Sequence, residues 1–151
     1  MLCDYLTPKT TLFADDVTQW RDAVERVAAP LLDNGAITRD YVAAMIDSIA
    51  AGGTYIDLGF GIALAHSRPE DGVVATGLSS LRVRPSVLLN DDPLHPIDLF
   101  ICLAAVDNQG HLGTLMELAR LLIDGERRTR LLAARTTAEI SAVIQGSATP
   151  E

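Results

Sequence analysis

From Val17 onward the apolar positions fall in steps of three and four: Val17, Trp20, Val24, Val27, Ala28 and Leu31. That spacing puts them on one face of a helix. Asp15 or Asp16 is placed to cap its first turn, and Asn34-Gly35 to end it in left-handed backbone. Thr38 opens a second helix with Val42, Met45, Ile46 and Ile49 facing inward, and Gly52-Gly53 stops it.

The pattern then changes period. Tyr55-Ile56-Asp57-Leu58, Ile62-Ala63-Leu64 and Val73-Val74-Ala75-Thr76 are short apolar or alternating runs broken by glycine, which predicts strands. A further strand is expected over 83–89, held to an edge or a start by Pro85. Residues 90–96 read as a polar turn. Residues 97–106 are almost continuously apolar, as a central strand covered on both faces would be. A helix follows over 109–123, its inner stripe read as Leu112, Leu115, Met116, Ala119 and Leu122. Gly125 breaks it before a short helix over 126–134. Thr136 and Glu139 have capping-box spacing ahead of Ile140, Val143 and Ile144. Helices on either side of a strand-rich middle predict one α/β domain, a mixed β-sheet of about five strands flanked by helices on both faces. The domain is expected over 1–145, with 146–151 a flexible tail.

Composition narrows the picture. A chain of 151 residues with 48% hydrophobic positions has the size and content of one folded domain. No apolar run approaches the roughly 18–20 residues that span a bilayer. The N-terminus lacks the pattern of a signal peptide, so a cytoplasmic address is expected. A net charge of −8 argues against a nucleic-acid binder. Cys3 and Cys102 have no metal-ligand spacing. Cys102, inside Leu99-Phe100-Ile101-Cys102-Leu103, reads as a buried structural thiol.

Chemistry concentrates in Gly61-Ile62-Ala63-Leu64-Ala65-His66-Ser67-Arg68. An apolar run delivers one imidazole to its end, and a guanidinium suited to an anion follows two positions later. Such a histidine is often only a hydrogen-bonded structural residue, but small neighbours leave room for a partner to approach. Glu70 and Asp71 lie in the following loop. His111 begins a helix directly after the long apolar strand, where strand ends and helix starts meet at one rim of an α/β sheet. His95 reads as a solvated loop residue. Three histidines without paired spacing give weak support to zinc. Gly59-Phe60-Gly61 lacks the rest of a phosphate loop, and Gly77-Leu78-Ser79-Ser80-Leu81 is not a nucleophile elbow. Arg127, Arg128 and Arg130 read as a solvated helix face.

The run Gly61 to His66 resembles the Gly-Ile-Ala-hydrophobic-Pro-His motif of the mannitol/fructose class of enzyme IIA of the bacterial sugar phosphotransferase system. Its continuation, Arg68-Pro69-Glu70-Asp71-Gly72-Val73, is most similar to the L-ascorbate branch. Asn34-Gly35-Ala36-Ile37, Tyr41-Val42-Ala43-Ala44-Met45-Ile46 and His111-Leu112 extend the likeness over almost the whole chain. Ala65 stands where proline is usual, which frees φ and restores an N–H. Ser67 stands where a smaller residue is common. The resemblance implies a phosphocarrier in which His66 accepts a phosphoryl group from phospho-HPr. It would pass the group to a cysteine of enzyme IIB, and membrane enzyme IIC would complete sugar uptake. Arg68 and His111 would stabilise the phosphoryl oxygens. The attacking atom would be Nε2, with the Nδ1 proton donated to an acceptor such as a backbone carbonyl. No cofactor and no metal are implied. A homodimer is left open, as are a regulatory relative and a catalytically silent module on the same fold.

Overall fold

The computed structural model describes residues 5–106 and 108–146, without the side chains of 55, 108–112, 114, 115, 145 and 146. In chain order the main elements are strand β1 (Thr11–Ala14), helices α1 (Trp20–Asp33) and α2 (Arg39–Ala50), and strands β2 (Asp57–Gly59), β3 (Ile62–Ala65), β4 (Gly77–Leu88) and β5 (Pro96–Ala104). Helices α3 (Asn108–Ile123), α4 (Gly125–Ala133) and α5 (Thr137–Gly146) complete the fold. The five strands form one mixed sheet in the order β1-β4-β5-β3-β2. β5 runs parallel to β3 and antiparallel to β4, and β1 pairs with β4 in parallel.

Two apolar layers hold this sheet. Trp20, Val24, Val27 and Leu31 of α1 and Tyr41, Met45 and Ile49 of α2 pack on one face with Phe100, Cys102 and Ala104 of β5. Leu118 and Leu121 of α3, Leu131, Ile140, Val143 and Ile144 pack on the other, with Leu99, Ile101 and Leu103. β5 thus sends successive side chains to opposite cores, and its unbroken apolar run follows from burial on both faces. Burial pushes the Cys102 thiol up to about 12. The Cys102 Sγ lies 3.9 Å from the Met45 sulfur, as expected for a thiol used in packing.

The fold class and the central strand match the sequence reading; several elements differ from it. Helix α1 begins at Trp20 behind Gln19, which makes no side-chain cap, so neither Asp15 nor Asp16 caps it. Asp16 instead forms a two-pronged ion pair with Arg26 at 2.8 and 3.3 Å. Thr38 precedes α2 as expected, but its hydroxyl donates to the Gly72 carbonyl at 3.3 Å rather than capping the helix. Residues 73–76 are no strand; Val73 makes only an isolated bridge to Ile37. The strand expected from 83 begins at Gly77 and lies inside the sheet. Pro85 is tolerated there because the β4–β5 register breaks between Arg82 and Val87, where no ladder bond is required of it. β1 had no signal beyond Thr11-Leu12-Phe13-Ala14.

On α3 the inner stripe is only partly the one expected: Leu122 packs against the core on this face, but two of its neighbours do not. Met116 is 49% exposed and Ala119 is exposed, whereas Leu118 and Leu121 are buried. The expected Leu112 and Leu115 lie outside the described side chains; of the tail expected over 146–151, Gly146 ends α5 and 147–151 lie outside the described residues. Of the α4 arginines, Arg130 is exposed as expected, but Arg127 and Arg128 are not merely solvated. Arg128 donates to the Leu122 carbonyl at 2.7 Å and stacks 3.7 Å from the Phe60 ring centre. Arg127 donates to the Val143 carbonyl at 3.2 Å. Asp124 caps α4 through the Glu126 and Arg127 N–H groups, and Thr136 accepts the Glu139 N–H at 3.1 Å ahead of Ile140.

Candidate functional site

Because β3 and β5 are parallel neighbours, their C-terminal ends reach the same rim of the sheet. β4 starts there, antiparallel to β5, and α3 begins a few residues past the end of β5. His66 follows directly on Ala65, the last residue of β3, and is half-buried. Ala63 and Ala65 are wholly buried on the α1–α2 face, and His66 follows the alternation of Ile62 and Leu64 toward the opposite layer.

The His66 Nδ1 atom lies 2.8 Å from the carbonyl oxygen of Leu64. A carbonyl can only accept, so this nitrogen carries the proton. The lone pair of the neutral ring is then on Nε2. Strand geometry therefore selects the tautomer: the acceptor is the backbone two residues earlier in the same chain.

After His66 the chain turns through a single helical turn, Pro69–Asp71, which Asp71 organises from inside. Its Oδ2 accepts from the Ser67 hydroxyl at 2.5 Å and from the Arg68 N–H at 3.2 Å. The Ser67 hydrogen bond, followed by the Arg68 amide and guanidinium, holds the Asp71 carboxyl below its usual range. Gly72 then adopts φ of +139°, and a Cβ there would collide with Thr38 Oγ1 and come within 3.0 Å of the Tyr41 nitrogen. Only glycine lets the loop lie this close to the start of α2.

Tyr41 ties the loop to the sheet from below. Its buried phenol accepts the Ser67 N–H at 2.9 Å and donates to the Leu103 carbonyl at 2.7 Å. Burial raises the phenol well above its ordinary value, so it is a neutral donor. The sequence reading placed Tyr41 only within a matching block; its spacing on α2 shows that it faces inward but not that its hydroxyl meets the His66–Ser67 segment.

The Arg68 guanidinium is 76% exposed, 3.4 Å from Glu70 and 3.5 Å from Asp71. It sits in the same loop as His66 but turns toward its own carboxylates. His111 lies in the first turns of α3, at the rim that His66 shares, and its side chain is outside the described residues. His95 is not the solvated residue expected. Its Nδ1 lies 2.8 Å from Asp57, and this pair joins the start of β2 to the turn before β5, away from His66. Around the rim, Val74 and Val106 are 64% and 46% exposed. The Val106 N–H donates to Thr76 Oγ1 at 3.2 Å. Among the described residues no three His, Cys, Asp or Glu side chains converge as metal ligands. None of the described helices is long and apolar enough to cross a membrane.

Residues 4–147 match the family model described as phosphoenolpyruvate-dependent sugar phosphotransferase system, EIIA 2. The chain belongs to this family. The mannitol-specific cryptic phosphotransferase enzyme IIA component of Escherichia coli is 32% identical over 145 residues, covering 95% of this chain and 97% of that protein. A solution structure of that enzyme IIA from Escherichia coli aligns with a TM-score of 0.88 at 30% identity, over 96% of this chain and 98% of the other. The ascorbate-specific EIIA component of Shigella boydii is 33% identical over 122 residues, covering 80% of this chain and 79% of that protein. A complex of mannitol enzyme IIA with phosphorylated enzyme IIB from Escherichia coli shares the fold, with a TM-score of 0.75 at 22% identity over 91% and 95% of the two chains. Members of the family are phosphotransferases that carry a phosphoryl group on a histidine, and this chain is one of them.

Proposed function

We propose that His66 is the phosphoryl-carrying residue, that its Nε2 attacks the phosphorus of phospho-HPr, and that the group passes onward to a cysteine of an enzyme IIB. The observation that carries this reading is the 2.8 Å contact between His66 Nδ1 and the Leu64 carbonyl. It keeps the proton on Nδ1 and gives Nε2 nucleophilic character without a separate base. As the new N–P bond forms, the N–P bond to the donor histidine breaks and that imidazole leaves with the electron pair. In the second transfer the IIB thiolate attacks phosphorus and the Nε2–P bond breaks. Both donors are activated, so the protein's task is positioning and charge stabilisation.

The carbonyl bond also serves the carrier state. A ring phosphorylated at Nε2 retains its Nδ1–H, and Leu64 continues to accept it. Arg68 would help by swinging from Glu70 and Asp71 toward the phosphoryl oxygens, an exchange of one set of charge-assisted hydrogen bonds for another. His111, supplied by the first turns of α3, would stabilise the same oxygens. Val74 and Val106 offer apolar contact to the docking carrier at the rim, and the chain's charge of −8 suits a basic surface on that carrier. The similar proteins serving mannitol and ascorbate support uptake of a sugar or an ascorbate-like substrate, with membrane enzyme IIC acting downstream of IIB.

A proton–nitrogen NMR correlation of the histidine rings tests the assignment of the atom. Phosphorylation through HPr should shift His66 Nε2 and leave its Nδ1 protonated. A phosphorylated Nδ1, or a phosphorylated ring other than His66, would contradict the reading.

A further inference from the structure

At the opposite rim, a cavity of about 310 Å³ opens beside β1 and β4, lined by Phe13, Ala14, Asp15, Arg82, Arg84, Ala134 and Arg135. Its walls follow from the register. Phe13 on β1 is the cross-strand partner of Arg82 on β4, so both side chains leave the same face of the sheet. Arg84 lies two positions along β4 and shares that face. Arg135 comes from the connection between α4 and α5, which packs over the sheet on this side.

Three guanidinium groups therefore meet at one cavity of a protein whose net charge is −8 and which has only 11 arginines and one lysine. Like charges repel unless an anion offsets them. The opposing carboxylates are fewer: Asp15 lines the cavity, and Asp98, held by the Ser86 hydroxyl at 2.5 Å, lies near Arg82. Arg82 is the informative member. It donates to the Ala134 carbonyl at 3.2 Å, yet its Nε is buried with no hydrogen-bond partner among the described residues. A buried donor without an acceptor is costly in a folded protein. Burial, then the charges of Arg84 and Arg135, lower the Arg82 pKa, which describes a cationic group short of a counter-ion.

We propose that this cavity is a binding site for a small phosphomonoester, distinct from the phosphoryl-carrying histidine. A phosphomonoester carries nearly two charges and three terminal oxygens, enough to engage several guanidinium groups; a carboxylate has one charge and two oxygens. The half-exposed ring of Phe13 and the side chains of Ala14 and Ala134 offer an apolar wall to the organic part of such a ligand. The volume lies at the lower end of ligand pockets, roughly 300–1,000 Å³, and so favours a compact molecule. Leu99, the partner of Arg82, stands three residues before Cys102, the partner of Ala65. With β5 between β4 and β3, the cavity is on the order of 15 Å from His66 by strand rise and spacing.

Titration calorimetry with phenyl phosphate, inorganic phosphate and benzoate tests the proposal on the intact chain. Phenyl phosphate should bind saturably at one site, more tightly than inorganic phosphate, and benzoate at least tenfold more weakly. Arg84→Gln and Arg135→Gln, both at exposed positions, should each weaken phenyl phosphate about tenfold. His66→Ala should bind it as the unaltered protein does. Absence of saturable binding, undiminished binding in the Arg84→Gln/Arg135→Gln double variant, or loss of binding in His66→Ala would overturn the proposal. The last outcome would place the anion at the transfer site instead.

Discussion

The phenol oxygen of Tyr41 accepts the backbone N–H of Ser67 at 2.9 Å, fixing the residue that follows the candidate nucleophile to a helix on the other side of the sheet. The same oxygen donates to Leu103 at 2.7 Å, so one buried hydroxyl joins α2, β5 and the His66 loop. Tyr41→Phe keeps the ring and removes both bonds. It should destabilise the fold by roughly 1–3 kcal/mol, because a buried carbonyl and an N–H each lose a partner. Phosphotransfer from HPr should also slow, since His66 would be less well held. Denaturant unfolding and transfer kinetics, measured on the same preparation, check the two effects. An unchanged midpoint and rate would show that the tether contributes neither.

Gly72 is where the His66 loop returns to α2. Its φ of +139° and the collision a Cβ would make with Thr38 predict that Gly72→Ala is destabilising by about 1–3 kcal/mol. The damage should be local. Amide exchange should accelerate at Thr38, whose N–H is bonded to the Gly72 carbonyl at 3.0 Å, before it does in β5. Equal protection at Thr38 in the two proteins would count against this account of the glycine.

Asp71 predicts an acid-sensitive loop. Its folded pKa is depressed by Ser67 first and Arg68 next, from an ordinary value of 3.8. A depressed carboxylate stabilises the fold fully above the unfolded value and loses that contribution as pH falls through the folded one. The Ser67–Gly72 turn should therefore be intact at neutral pH and should loosen only below about pH 4, well short of the histidine range. Carboxyl carbon shifts of Asp71 and amide shifts of Arg68, followed together through an acid titration, measure it. In Asp71→Asn the amide transition should be absent. A loop transition that persists in Asp71→Asn would contradict this account.

How much of this was legible in the sequence depended on how local the cause was. Helices α1 and α2 and the central strand β5 follow from periodicity, because burial on one face or two writes itself into spacing. The tautomer-setting contact of His66 reaches only two residues back along its own strand, and the glycine-led apolar run already pointed to a histidine at a strand end. The errors lie where partners are distant. Thr11-Leu12-Phe13-Ala14 becomes a strand only because β4 lies beside it. Pro85 argued for an edge or a strand start and sits instead at a break in register between two strands. Asp16 was drawn from its capping position by Arg26, ten residues later, and His95 was drawn from solvent by Asp57. On α3 the expected stripe was right at Leu122 and wrong at Met116 and Ala119, because the packed sheet face takes Leu118 and Leu121 beside Leu122.

His66 is the residue proposed to carry the phosphoryl group. The most direct test is intact-mass measurement after incubation with phosphoenolpyruvate, enzyme I and HPr, with the unaltered chain and His66→Ala side by side. The unaltered chain should gain one acid-labile phosphoryl group. His66→Ala should gain none while keeping its circular dichroism and melting temperature, because the half-buried ring caps a strand end and fills no core. Phosphorylation of a folded His66→Ala at the unaltered rate would contradict the account.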